Sequence, residues 1–105
     1  MEINNIKEIL KTLNTIFNDE KYDEDKDLIK KTSDKISDLL VDENQINDTT
    51  LELIKHNINY LDRKYDDLYD LTNLYDPVYI SYKKQIHNKY VAELRKNNKK
   101  KREGN

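Results

Sequence analysis

LELIKHNINYLDRKYDDLYDLTNLY, residues 51–75, decides the class of fold. Within it Leu51, Ile54, Ile58, Leu61, Tyr65, Leu68, Thr72 and Tyr75 follow one another at alternating steps of three and four, and only Thr72 is polar. That spacing brings each residue back to one face of an α-helix and predicts a heptad seam of the kind that packs on other helices. Unbroken, at 1.5 Å per residue, the helix would run on the order of 37 Å. Leu53, Tyr60, Leu71 and Leu74 lie beside the seam, so the face is wide enough to meet more than one neighbour. Thr49-Thr50-Leu51-Glu52 has the spacing of a capping box and predicts a start at Thr49.

Upstream, Ile3, Ile6, Leu10, Leu13 and Phe17 recur at helical spacing, with Ile9 and Ile16 beside them, and predict a first helix over 3–17. Ile29, Ile36, Leu39 and Leu40 predict a second over 26–41, with Thr32 and Ser33 filling the gap in its stripe. Asp42 to Asp48 reads as a polar connection. Downstream, Asp76-Pro77 reads as an N-cap with proline at the first helical position, where its missing N–H is harmless. A fourth helix from Pro77 carries Tyr79 or Ile80, Tyr82 or Lys83, Ile86, Tyr90 and Leu94. It either folds back at Pro77 into a compact bundle or extends the third helix with a kink. The predicted fold is therefore all-α: a small antiparallel three- to four-helix bundle with one long heptad helix, the extended alternative being a coiled-coil dimer. Residues 1–94 form the helical domain, and residues 95–105 a basic, disordered tail.

Composition points the same way. The chain has 105 residues, 35% apolar and 38% charged, which suits one small domain only if the apolar residues are gathered onto faces. Gly104 and Pro77 are the only residues of their types, so the turn chemistry of β-hairpins is missing. There is no Cys, which excludes disulfides, thiolate metal sites and a cysteine nucleophile. No apolar run approaches bilayer length, and MEINNIKEIL lacks the features of a secretory leader, so a cytoplasmic location is expected. The net charge of −2 conceals an asymmetry. Residues 1–78 hold ten Lys or Arg against nineteen acids, net −9, and residues 79–105 hold nine against two, net +7.

Each candidate for chemistry has a plainer reading. Asp23, Asp25, Asp27 and Asp34 have part of the spacing of a calcium loop, but Leu28 stands where the loop needs glycine and Asp34 is shorter than the usual closing glutamate. A solvated acidic helix start fits better. Asp62, Asp66 and Asp70, with Asp67 beside them, would form a carboxylate ridge on a continuous helix, either a wet surface or a dock for a basic segment. His56 and His87 have no partner at metal-ligand spacing, and no Ser or Thr sits in a nucleophile motif. No catalytic residue, metal ligand or cofactor is predicted, and the chain is read as no enzyme. Eight tyrosines against one Phe and no Trp suit a core whose hydroxyls reach the rim, or a face prepared for a partner.

In size, charge density and helical layout the chain resembles two families. Over Ile3 to Leu94 it is similar in length and helix order to the immunity proteins of pediocin-like bacteriocins, which implies a four-helix bundle with a variable C-terminal segment. Over Leu51–Tyr75 and Arg95–Arg102 it looks like the small helical scaffolding proteins of tailed phages, which implies a dimerising coiled coil and a basic end that engages a coat protein.

The function expected is protein–protein interaction or assembly. Leu51, Ile54, Ile58, Leu61, Tyr65, Leu68 and Tyr75 are the expected self-association surface of a homodimer. Arg95, Lys96, Lys99, Lys100, Lys101 and Arg102 are the expected contacts to a protein with an acidic surface. The alternatives are a nucleic-acid-associated regulator using the same basic residues, although a body of net −9 repels phosphate, and an immunity-like bundle.

Overall fold

The computed structural model describes residues 2–41, 46–68 and 70–103, leaving out the side chains of Glu2 and of residues 97–103. Among the described residues the chain forms four α-helices and one short 3-10 helix, with no strand: α1 (Glu2–Phe17), the 3-10 helix (Glu20–Asp25), α2 (Lys26–Val41), α3 (Asp48–Lys64) and α4 (Leu71–Glu103). The predicted all-α bundle is what the chain adopts. Each helix packs on its two neighbours in the ring α1, α2, α3, α4, and no backbone contact joins diagonal pairs. Cross-helix bonds give the directions. Asn57 donates to Thr32 at 3.0 Å and Tyr60 to Asp25 at 2.9 Å, so α2 and α3 run antiparallel. The Tyr75 hydroxyl donates to the Leu51 carbonyl at 2.9 Å, and Lys83 pairs with Asp48 at 3.0 Å, so α3 and α4 do too.

Most of the stripes read from the sequence build the core, although Ile3 and Leu40, placed on them, are exposed. Ile6, Ile9, Leu13 and Ile16 come from α1, Ile29, Ile36 and Leu39 from α2, and Leu51, Ile54, Ile58 and Leu61 from α3, all buried together with Leu71, Tyr75, Val78 and Tyr82 of α4. Two polar side chains are buried among them: Thr32 returns its hydroxyl to the Leu28 carbonyl at 2.7 Å and accepts from Asn57, so neither is stranded.

The 51–75 helix is not continuous. α3 ends at Lys64, Tyr65 is extended (φ −120°, ψ 105°), and α4 begins at Leu71. Repulsion and capping explain the break. Four aspartates in the nine residues 62–70 disfavour a helix interior, where carboxylates three and four apart repel, but they suit a helix start. Asp62 Oδ1 and Oδ2 accept from the N–H groups of Leu71 and Thr72 at 3.1 and 2.7 Å, and the Asp70 carbonyl accepts from Leu74 N at 3.2 Å. Arg63 and Lys64 meet the negative end of α3. Folding back also lets α4 cover the seam that a straight helix would leave bare.

Three further boundaries differ from the sequence reading. Asn47, not Thr49, caps α3, its side chain accepting from Thr50 N at 2.8 Å. Residues 42–45 of the expected connection lie outside the described residues. Pro77 neither starts a helix nor turns the chain. It sits at the seventh position of α4, exposed, where it removes one backbone bond to Asn73 without entering the core. Finally, α4 runs on through the basic segment to Glu103, although a disordered tail was expected there. No Gly or Pro intervenes between Pro77 and Gly104, and Lys and Arg are good helix formers.

At 33 residues α4 is about twice as long as its neighbours and spans about 50 Å. Residues 71–86 match the height of the bundle and 87–103 project beyond it. The molecule accordingly measures 65 × 23 × 22 Å, with a radius of gyration of 17.3 Å, against roughly 13 Å for a compact chain of this length.

Candidate interaction surface

The two ends of this rod have opposite charge. At one end the 3-10 helix meets the α3–α4 turn, and residues 19–27 with 62–70 bring ten acids and four bases together. From the other end projects α4 beyond Ile86, with seven bases against two acids over 87–103. The charge asymmetry of the sequence thus becomes a separation along the long axis.

At the acidic end Asp25 is 8% exposed and its carboxylate is saturated. Tyr60 donates to Oδ1 at 2.9 Å, Tyr65 donates to Oδ2 at 2.5 Å, and Lys64 Nζ lies 2.8 Å from Oδ2, itself 3.2 Å from Glu24. The Tyr22 ring packs on the Tyr65 ring with centroids 4.6 Å apart. Burial pushes the Asp25 carboxyl up, but the bonds from Lys64, Tyr65 and Tyr60 outweigh it and hold the group below the usual carboxylate range. The bond to Asp25 and burial push the Tyr65 phenol up to about 12, and the bond to Asp25 raises the Lys64 ammonium. The raised pKa values keep Tyr65 and Lys64 protonated near neutral pH, and the lowered one keeps Asp25 an ionised, weakly basic carboxylate held by their bonds. The cluster therefore clasps the 3-10 helix to the end of α3.

Asp25 is thus no part of a solvated acidic start, and its inward direction was legible. Tyr22, Asp25, Ile29 and Thr32 fall at steps of three and four on one face, all buried. Nor do Asp62, Asp66 and Asp70 form a ridge, because the chain turns between them and Asp62 faces α4. Asp67 pairs with Lys21 instead. His56 and His87 are exposed on α3 and α4, and no group of three His, Asp or Glu among the described residues is placed to hold a metal.

The expected self-association seam is spent inside one chain. Leu51, Ile54, Ile58 and Leu61 are 0% exposed, Tyr65 and Tyr75 are buried, and Leu68 packs against the same core. The reason is the fold-back at Tyr65, which turns the two halves of the seam on each other and on α1 and α2. The expected partner contacts fare differently. Arg95 and Lys96 are exposed on α4, while the side chains of Lys99, Lys100, Lys101 and Arg102 lie outside the described residues.

Next to Arg95 and Lys96 is an apolar face. The row Tyr82, Ile86, Tyr90, Leu94 leaves the bundle at Ile86, which is still half-buried, and then stands in the open, with Tyr90 59% and Leu94 43% exposed. Lys89 and Arg95 flank this row, exposed Glu93 lies on the same side as Lys89, and Lys96 is exposed towards the back of the helix; among the described residues no ion pair holds the three cations. At the bundle end of this helix Lys83 is engaged: it bridges Asp48 and Glu52 at 3.0 and 3.1 Å, which raises its pKa.

Among the described residues no helix is long and apolar enough to cross a membrane. No family model, curated protein or solved structure matches the chain.

Proposed function

We propose that this is a non-enzymatic, cytoplasmic interaction protein, in which the bundle is a mount and the projecting half of α4 is the contact element for an acidic protein surface. The observation that carries this reading is the exposed pair Tyr90 and Leu94 flanked by Lys89 and Arg95, on the part of a net basic helix that has already left its own bundle. An amphipathic helix with basic flanks is read by a partner as apolar anchors at i and i+4 plus charge steering. A Tyr–Leu face held in water contributes nothing to the fold that carries it. The heptad seam, being used within the chain, is replaced as the contact surface by this face.

The test uses the full chain. Tyr90→Ser with Leu94→Ser is expected to melt with the wild type, within about 0.5 kcal/mol, as surface substitutions do. A loss above about 1 kcal/mol would mean that the face packs on its own chain, and the reading would fall. Fluorescence anisotropy with a labelled DNA duplex and a single-stranded RNA separates the nucleic-acid alternative. Negligible binding at about 0.1 M salt is expected. Tight binding that falls steeply with salt and is lost in Arg95→Glu/Lys96→Glu would favour that alternative instead.

A further inference from the structure

We infer that the occupant of the projecting face is a second copy of this chain, docked head to tail, with α4 of one molecule on the acidic end of the next. The inference rests on the reading of α4 as a contact element and names its partner.

Three observations select this occupant. First, the acidic end carries a groove whose chemistry complements the face. Its floor is Ile16, Tyr22 and Leu68, its rim carries Glu8, Asp19 and Asp67 against Lys11, with Asp67 already paired to Lys21, and its volume is about 350 Å³. The apolar floor suits Tyr90 and Leu94, and the net acidic end around it, ten acids against four bases, is the counterpart of the net basic projecting helix, seven bases against two acids. Second, a chain cannot satisfy itself. The groove lies where α1 ends and α4 begins, and α4 runs from there through the bundle and out at the far end as one helix to Glu103. With the complementary surfaces at opposite ends of a 65 Å rod, the match is available only between molecules. Third, pairing of two projecting helices side by side would set Lys89, Arg95 and Lys96 of one against those of the other, and like charges across an interface oppose association. That arrangement is disfavoured by the same net charge that favours the head-to-tail one.

A contact between two different surfaces of the same chain is heterologous. Unless its rotation closes a ring, it repeats without an end point, so the product is a run of subunits whose length rises with concentration. The bundles would be spaced along it by the projecting helices.

Sedimentation of the full chain tests this at about 0.1 M salt, where the screening length is about 10 Å, and at about 1 M, where it is about 3 Å. The expected result is a weight-average mass at least twice the 12.7 kDa of one chain at low salt, rising with concentration, and monomer at high salt. Lys89→Glu/Arg95→Glu/Lys96→Glu reverses the face, and Glu8→Lys/Asp67→Lys reverses the groove while keeping Asp19, which caps the 3-10 helix. Each set alone is expected to give monomer with an unchanged helical circular dichroism signal. The chain carrying both sets is expected to regain association, because both charges are exchanged together. A monomer at low salt over the whole concentration range overturns the inference, as does association that survives reversal of the face, or failure of the doubly reversed chain to recover. Binding of the monomer to vesicles of phosphatidylserine and phosphatidylcholine, lost in Tyr90→Ser/Leu94→Ser, would replace the second copy by a membrane surface. A monomeric chain whose Tyr90 and Leu94 are still neutral to stability overturns only the head-to-tail contact and leaves the contact-element reading standing.

Discussion

The acidic end and the projecting end carry comparable densities of charge and use them in opposite ways. At the acidic end many of the carboxylates are answered by the structure, while the end as a whole stays net acidic. Asp25 holds two tyrosines and a lysine, Asp62 caps α4, Asp67 pairs with Lys21, and Asp19 caps the 3-10 helix at 3.0 Å. At the projecting end Lys89, Arg95 and Lys96 stand exposed on the part of α4 that runs past the bundle, and among the described residues no ion pair holds them. The lesson is that a charge cluster acquires a meaning from its backbone. Where the chain turns, carboxylates become caps and clasps. Where a helix simply continues, cations stay free to meet something else.

The largest break in this comparison should come from Asp25→Ala. Removing the carboxylate strands the hydroxyl of buried Tyr65 and leaves Lys64 with Glu24 alone as its counter-charge, and loss of hydrogen bonds to a buried charge is expected to cost about 2–4 kcal/mol in a chemical melt. The pH dependence has a definite sign. The folded pKa of Asp25 lies below its ordinary value of 3.8, so the folded state binds the proton more weakly. Its contribution is complete above about pH 4 and disappears as pH falls through the folded value. The gap between wild type and Asp25→Ala should therefore narrow below pH 4. Tyr65 provides the alkaline counterpart: with a folded value of about 12 against an ordinary 10.0, its contribution is whole below pH 10 and lost as pH rises towards 12. A gap that stays constant from neutral pH to pH 3 would show that Asp25 acts through packing alone.

How much of this was legible depends on the distance over which each residue acts. Helical stripes are local, and the three faces built on Ile6, Ile29 and Ile54 were readable from spacing, whereas on α4 spacing left Tyr79 or Ile80 and Tyr82 or Lys83 open and the core took Val78 and Tyr82. The turn at 65–70 was not. The heptad phase from Leu51 to Tyr75 persists through it, because both halves of the seam face one core. Yet the sequence holds a signal that outranks phase: Arg63-Lys64 followed by Asp66, Asp67 and Asp70 places cations at a helix end and anions at a helix start. Pro77 misled for the opposite reason. Its local rule favours a first turn, but six residues of α4 precede it, and an exposed position tolerates the missing bond. In the basic segment, charge was legible and backbone was not, since a run of Lys and Arg reads alike in a disordered tail and in the last turns of a long helix.

Pro77→Ala sharpens the comparison at the point where α4 begins its course past the bundle. Alanine restores the bond to the Asn73 carbonyl and removes the ring from the helix interior. A gain of about 1–3 kcal/mol in stability is expected, the lower figure applying if the helix has already relaxed around the proline. A loss would mean that the proline fixes the direction in which α4 leaves the bundle, through the surface it shares with Asn73, Ile80 and Lys84.

The smallest effect on stability, from Asp62→Ala, is also the one that reports most directly on the alternative fold. The carboxylate accepts from two otherwise unpaired N–H groups at the start of α4, and losing a cap of this kind costs about 1 kcal/mol. The heptad phase through residues 65–68 is intact, so whatever weakens the turn favours the continuous 51–75 helix, whose bare seam would demand a second chain. Asp62→Asn keeps an acceptor and should fall between the variant and the wild type. Sedimentation at about 1 M salt, where head-to-tail contacts are screened, then isolates the seam. If Asp62→Ala melts earlier yet remains monomeric there, core packing holds the turn and the cap merely trims it; if a salt-resistant dimer forms, one carboxylate stands between two ways of burying the same seven residues.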